Sequence, residues 1–168
     1  ESLPIQQAKT AGAQLLININ ASPFHVNKLE ERKRLLKTRS HEGCMPIIYV
    51  NLVGGQDELV FDGGSMAVDA EGKCCVQAPK YEEGLYPVSV DINRGSSCGV
   101  ITEKLVNQAS IEEDVYRALV LGVKDYVNKN KFTGVVLGLS GGIDSALTLA
   151  IAVDALGSER VEAVMMPF

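Results

Sequence analysis

Ser140, Gly141, Gly142, Ile143, Asp144 and Ser145 are the residues whose types and spacing speak most directly of chemistry. An apolar run at 134–139 precedes them and a longer one at 146–156 follows, with Gly157 where a helix would stop. The first run reads as a buried strand and the second as a helix, so the six residues occupy a strand-to-helix turn. Adjacent glycines let the backbone fold tightly and come close to a ligand. The helix N-terminus turns unpaired N–H groups and a partial positive charge toward the same place, and the two serines add hydroxyl donors. These are the parts of a phosphate or pyrophosphate cradle. An acid in such a cradle, Asp144, makes sense with a divalent cation bridging it to the phosphates. The pattern is not a Walker P-loop, because no lysine follows the glycines.

The elements that must position this loop extend to both sides. Upstream, Ser110 with Glu113 three residues on forms a capping box. From there Ile111, Val115, Ala118, Leu119, Gly122, Val123 and Tyr126 recur on one helical face, and 128–131 ends the helix. Downstream, 160–166 reads as a second strand. Helix–strand–loop–helix–strand is the beginning of a doubly wound parallel sheet.

The first half of the chain has a different rhythm. A short helix at 5–13 leads into a strand at 15–20, a break at 21–24 and a helix at 27–40. In that helix Leu29, Leu35 and Leu36 mark the apolar side; Lys28, Arg32, Lys33, Arg34, Lys37 and Arg39 read as a solvated basic face. Strands at 46–53, 58–61, 65–68, 74–78 and 85–92, parted by glycine and aspartate turns, describe an antiparallel meander. Asp57, Glu58 and Asp62 read as turn chemistry rather than as a catalytic carboxylate pair. The stretch 94–99 marks a boundary, giving a first domain at 1–93, a linker at 94–109 and a second domain at 110–168.

Bulk properties narrow the class. With 46% apolar and 22% charged residues the 168-residue chain has the composition of a globular protein. Its net charge of −5 is spread evenly over both halves, which argues against nucleic acid. No apolar run reaches membrane-spanning length, so no membrane is expected. The four cysteines, Cys44, Cys74, Cys75 and Cys98, form no Cys-x-x-Cys pair, and the two histidines, His25 and His41, are not at metal spacing from them. Ordinary thiols in a reduced, cytoplasmic compartment are the plain reading. The chain opens on Glu1 and stops at Phe168 just after a strand, and so reads as a piece of something longer.

The hexapeptide resembles the pyrophosphate loop of the N-type ATP pyrophosphatases, Ser-Gly-Gly-x-Asp-Ser. The stretches 11–24 and 49–65 resemble the second half of a nitrilase-type (carbon–nitrogen hydrolase) domain, a four-layer αββα sandwich. The two together, with 115–126 and 138–157, resemble glutamine-dependent NAD(+) synthetase. The fold implied is α/β: the C-terminal half of a nitrilase-like sandwich, then the start of a doubly wound, adenine nucleotide α hydrolase-like sheet.

That resemblance implies a ligase in which one domain hydrolyses L-glutamine and the other uses ATP and Mg²⁺ to adenylate deamido-NAD, which ammonia then converts to NAD. Gly138, Leu139, Ser140, Gly141, Gly142, Ile143, Asp144 and Ser145 would bind ATP, and Asp144 would hold the metal. Met165, Met166 and Pro167 are weaker candidates for contact with adenine. Ser22 and Lys28 would bind glutamine, and His25 reads as a loop residue. No catalytic residue is assigned: the family's nucleophilic cysteine, glutamate and lysine are expected upstream of Glu1. A homo-oligomer is expected. Two other readings stay open here: a GMP- or asparagine-synthetase-type ligase sharing the loop, or a non-catalytic nitrilase-like binding protein.

Overall fold

The computed structural model describes residues 4–92, 99–100, 104–106 and 109–166. In chain order its elements are α1 (Pro4–Thr10), β1 (Leu16–Asn20), α2 (Lys28–Gly43), β2 (Ile47–Asn51), β3 (Val53–Gln56), β4 (Leu59–Asp62), β5 (Met66–Val68), β6 (Cys74–Gln77), β7 (Val90–Asp91), β8 (Gly99–Val100), α3 (Ile111–Lys129), β9 (Val135–Leu139), α4 (Ile143–Leu156), a 3-10 turn (Ser158–Arg160) and β10 (Val161–Met165). They form two compact units, Glu1–Val53 with Asp62–Gln108, and Gly54–Phe61 with Ala109–Phe168.

The first unit is built on a four-stranded sheet in the order β1-β2-β5-β6. β1 and β2 run parallel from Leu16 opposite Ile47 to Asn20 opposite Asn51. β2–β5 and β5–β6 are antiparallel, with a bulge at Ala67/Val68. Alternation along these strands sends Ile47, Tyr49, Met66 and Val68 to one face, where Leu29 and Leu36 of α2 cover them. Each of these large side chains, withdrawn from water, contributes roughly 1.5–3 kcal/mol. Ala67, Cys75 and Val76 lie on the other face, against Ile48, Val88 and Val100. Toward β1 that second face opens, and Ile17 and Ile19 are 60% and 80% exposed.

α2 buries Leu29, Arg32, Leu36, Ser40 and Gly43, a stripe at intervals of three and four. Glu30 and Glu31 in its first turn suit the helix dipole, and left-handed Cys44 ends it by donating its N–H to His41 O and Ser40 O. Two expectations need correcting. Arg32 does not belong to a solvated face: it is only 4% exposed. Nor is 85–92 a strand; only Val90–Asp91 pairs, with Gly99–Val100. Pro87 has no N–H to give a ladder, and Leu85 stands fully in solvent.

The second unit joins a hairpin to a βαβ core. β3 and β4 pair with each other rather than with the four-stranded sheet, turning through Asp57 at φ 51°. The hairpin lies on α3, where Gly55 N–H donates to Asp125 Oδ2 (2.7 Å) and Lys129 Nζ donates to Gly55 O. The approach is close at Gly122, where a Cβ would stand 3.2 Å from Val60 Cγ2. α3 starts at Ser110, whose hydroxyl accepts the Glu113 N–H (3.2 Å). β9 and β10 are parallel, Val135 opposite Val161 through Leu139 opposite Met165, with α4 as the crossover. Tyr116 Oη donates to Asp154 Oδ2 (2.6 Å), tying α3 to α4. That bond and burial hold the Tyr116 phenol above its usual range.

Candidate functional site

The chain from β9 to α4 is the expected strand-to-helix turn. Ser140 leaves the strand, Gly141 takes φ +83°, and extended Gly142 caps the helix at φ −85°, ψ 159°. Open space surrounds the Cβ position of Gly141, so a ligand can reach the backbone there. The cap has no side chain to satisfy the first N–H groups of α4, which therefore face outward with the positive end of the helix dipole. Ser145 Oγ donates to Gly142 O (2.9 Å) and lies 3.3 Å from Ser140 Oγ, so the two hydroxyls stand side by side across the turn. Asp144 is exposed in the first turn of α4, its carbonyl accepting from Thr148 Oγ1 (2.8 Å) and its carboxylate without a bond to the described residues. A Cβ on Gly138 would fall 2.6 Å from Met166 Cε, the movable end of a half-exposed side chain.

All eight loop residues, 138–145, are thus contiguous around one exposed turn. Met166 lies beside it, its N–H donating to Leu139 O (3.2 Å). Met165, by contrast, is 75% exposed, and Pro167 lies outside the described residues. A single free carboxylate flanked by hydroxyls and open backbone fits Mg²⁺, which keeps several waters and binds through one or two carboxylates plus phosphate oxygens. An all-protein metal cage is a different matter: no group of three or more His, Cys, Asp or Glu is placed for one among the described residues.

A second site lies in the first unit, where β1 and α2 flank a cavity of about 640 Å³. Ser22 and Lys28 both line it, together with Asn20, Glu31, Arg32 and Tyr49. Lys28 Nζ pairs with Glu31 Oε2 at 2.7 Å, and this bond holds the Glu31 carboxyl below its ordinary range. His25 is exposed and contributes its carbonyl to the Lys28 N–H.

Behind Ser22 is a buried polar network that the sequence reading passed over. Arg32 Nε donates to Ser22 Oγ (3.3 Å), and Nη2 donates to Ser22 O (2.7 Å) and Pro23 O (3.0 Å). Its Nη1 pairs with Asp62 Oδ1 at 2.7 Å. Asn51 grips Ser22 from the other side, accepting its N–H at Oδ1 (2.8 Å) and donating Nδ2 to its carbonyl (3.1 Å). Asp62, expected in a turn, is fully buried. Its Oδ2 lies 3.1 Å from Lys80 Nζ, but off the hydrogen-bonding direction, so the contact is one of charge. The same ammonium sits 5.1 Å from the ring centres of both Phe24 and Tyr81. Of the cysteines, Cys44 is exposed, Cys75 buried and Cys74 half-buried with its pKa pushed up by burial; Cys98 lies outside the described residues.

Comparison with known proteins finds a different family in each half of the chain. The carbon-nitrogen hydrolase family matches residues 4–99, and the NAD synthase family matches 115–168. The glutamine-dependent NAD(+) synthetase of Rhodobacter capsulatus is 45% identical over 159 residues, 94% of this chain and 28% of that protein. That of Synechocystis is 42% identical over 165 residues, 98% of this chain and 29% of its own length. Among solved structures, the glutamine-dependent NAD+ synthetase of Acinetobacter baumannii in complex with ADP superposes with a TM-score of 0.89 at 42% identity. The match covers 97% of this chain and 30% of that one. A Cytophaga hutchinsonii glutamine-dependent NAD(+) synthetase shares the fold, with a TM-score of 0.65 at 24% identity over 90% of this chain. The chain spans about a third or less of the curated relatives it matches, 28–34% over the first five. It belongs to the carbon–nitrogen hydrolase family, and beyond that domain its residues 115–168 are similar to the NAD synthase family.

Proposed function

We propose that the protein carrying this chain makes NAD from deamido-NAD, using ATP and the amide nitrogen of glutamine. The observation that supports this most is the complete Ser140–Ser145 turn, open at Gly141 and at the start of α4, in a chain whose other half is a carbon–nitrogen hydrolase. The carboxylate of deamido-NAD is a poor electrophile. Its attack on the α-phosphorus of ATP breaks the bond to the β-phosphate oxygen, and pyrophosphate leaves. Ammonia then adds to the acyl carbon of the adenylate, and AMP departs with the bonding electrons. The outward N–H groups at 141–145 hold the departing pyrophosphate, where preorganised donors are worth most. Asp144 would hold Mg²⁺ there, which supplies charge neutralisation for the phosphates when bound.

Ser22 and Lys28, on one cavity wall, contact glutamine in this reading. The division of labour is a first domain at 1–93 and a second at 110–168, in a homo-oligomeric cytoplasmic enzyme. Free thiols at Cys44, Cys74 and Cys75 are in keeping with a reducing compartment. The test is NAD formation by the full-length enzyme with glutamine or ammonium as nitrogen donor. Ser22→Ala and Lys28→Ala are expected to raise the glutamine KM roughly tenfold, the worth of one good hydrogen bond, and to leave the ammonium-driven rate unchanged. Loss of both rates together would contradict the assignment of this cavity to glutamine.

A further inference from the structure

Ser22 is held more firmly than a turn residue requires, and the way it is held fixes what its hydroxyl can do. A serine hydroxyl has one proton to give and two lone pairs to receive with. Arg32 Nε donates into one of those lone pairs at 3.3 Å, and a guanidinium cannot accept in return. The Ser22 proton is therefore directed away from Arg32. The backbone on both sides of that hydroxyl is also fixed. Ser22 O accepts from Arg32 Nη2 and Asn51 Nδ2, Ser22 N–H donates to Asn51 Oδ1, and Pro23 O accepts from Arg32 Nη2.

Arg32 is itself locked. It is 4% exposed, and its remaining arm is paired with the fully buried Asp62. Asn51 is locked too, donating from Nδ2 to Gly63 O (3.0 Å) and from its backbone to Ser65 Oγ (3.0 Å). Surface turns are not built this way, since burying a charged pair has a large desolvation cost unless its geometry is used.

We infer that Arg32 and Asn51 are positioning residues that hold Ser22 with its proton turned away from Arg32, as a hydrogen-bond donor in the β1–α2 cavity set to meet an oxygen acceptor of the amide substrate. Lys28 and Arg39 also line that cavity as cationic donors with no acceptor capacity. With the Glu31 carboxylate paired to Lys28, the cations outnumber the one acid there, which suits a carboxylate or carbonyl oxygen. The inference rests on the reading of this cavity as the glutamine site and deepens it.

A double-mutant cycle in the full-length enzyme tests it, with glutamine KM, glutamine kcat and the ammonium-driven rate read separately. Arg32→Lys keeps the charge but loses the fork. It is expected to raise the glutamine KM about tenfold or more while kcat and the ammonium-driven rate stay put. In that background Ser22→Ala is expected to add less than about twofold, because the hydroxyl is already misdirected. Independent, multiplying effects would overturn the inference, as would a wild-type KM in Arg32→Lys.

Asn51→Ser leaves the Arg32–Asp62 pair intact and guards against a variant that fails to fold. It too is expected to raise KM, and an unmoved KM there counts against the inference. If Ser22→Ala alone leaves KM unchanged, the glutamine assignment itself fails and the inference falls with it. If Ser22→Ala acts and the two supports do not, the assignment stands and the positioning role is refuted.

Discussion

Asp62 is fully buried between two cations, so its removal takes from Arg32 its buried counter-charge. Breaking a buried pair from one side costs about 3–5 kcal/mol. Asp62→Ala should therefore lower stability by about that much in urea unfolding, whereas Lys33→Ala, in a half-exposed i,i+3 pair with Glu30, should cost about 1 kcal/mol or less. A loss near 1 kcal/mol for Asp62→Ala would show that the network is wetter than its geometry. Cys74 supports a second expectation. Its folded pKa is raised by burial, so the neutral thiol is favoured in the fold. That contribution is complete below the unfolded thiol pKa and is lost as pH rises through the raised folded value. At mildly alkaline pH Cys74 should be alkylated more slowly than exposed Cys44, and mass-resolved iodoacetamide labelling reads the order directly. At this scale the sequence was only half legible. The stripe Leu29, Arg32, Leu36 has the helical spacing of a buried face, so the position of Arg32 could have been read. What hid it was residue type: an arginine among six basic residues suggests solvent, and its partner Asp62 is thirty residues away between glycine turns.

Among elements, caps and close approaches decide where the loop sits. Ser110 begins α3 with one side-chain bond to the Glu113 N–H, and Ser110→Ala should cost about 1 kcal/mol, measured as a lowered thermal midpoint. Gly134 enters β9 where a Cβ would overlap Arg160 O at the start of β10, and the obstacle is backbone rather than a flexible side chain. Gly134→Ala should therefore part the two strands and lower the midpoint further than Ser110→Ala does; an equal or smaller shift would mean that the strands yield easily. The Ser110 cap and the β9–α4–β10 unit were legible because each is fixed locally, by a cap, a run of valine and leucine, or a pair of glycines. The β3–β4 hairpin was legible as a hairpin and not in its placement. Nothing in its own residues tells that it leaves the four-stranded sheet to bond Asp125 and Lys129 on a helix about seventy residues later. The supposed strand at 85–92 failed for a local reason, Pro87.

For the whole molecule, each of the two compact units holds one candidate site. The family assignment was legible because two unlike motifs follow one another: a carbon–nitrogen hydrolase stretch and a Ser-Gly-Gly-Ile-Asp-Ser turn. The supports of Ser22 in the β1–α2 cavity were not, because they come from α2, β2 and β4 and meet only in the fold. If the Ser140–Ser145 turn is a pyrophosphate cradle whose acid serves the metal, then damage to Asp144 must stop adenylation without touching glutamine hydrolysis. The most direct measurement is ATP–pyrophosphate exchange in full-length Asp144→Asn, with glutaminase activity assayed beside it. The account predicts exchange lost by at least about a hundredfold, the scale of one electrostatic group in a transition state, with glutamine hydrolysis retained. Exchange at the wild-type rate would contradict it.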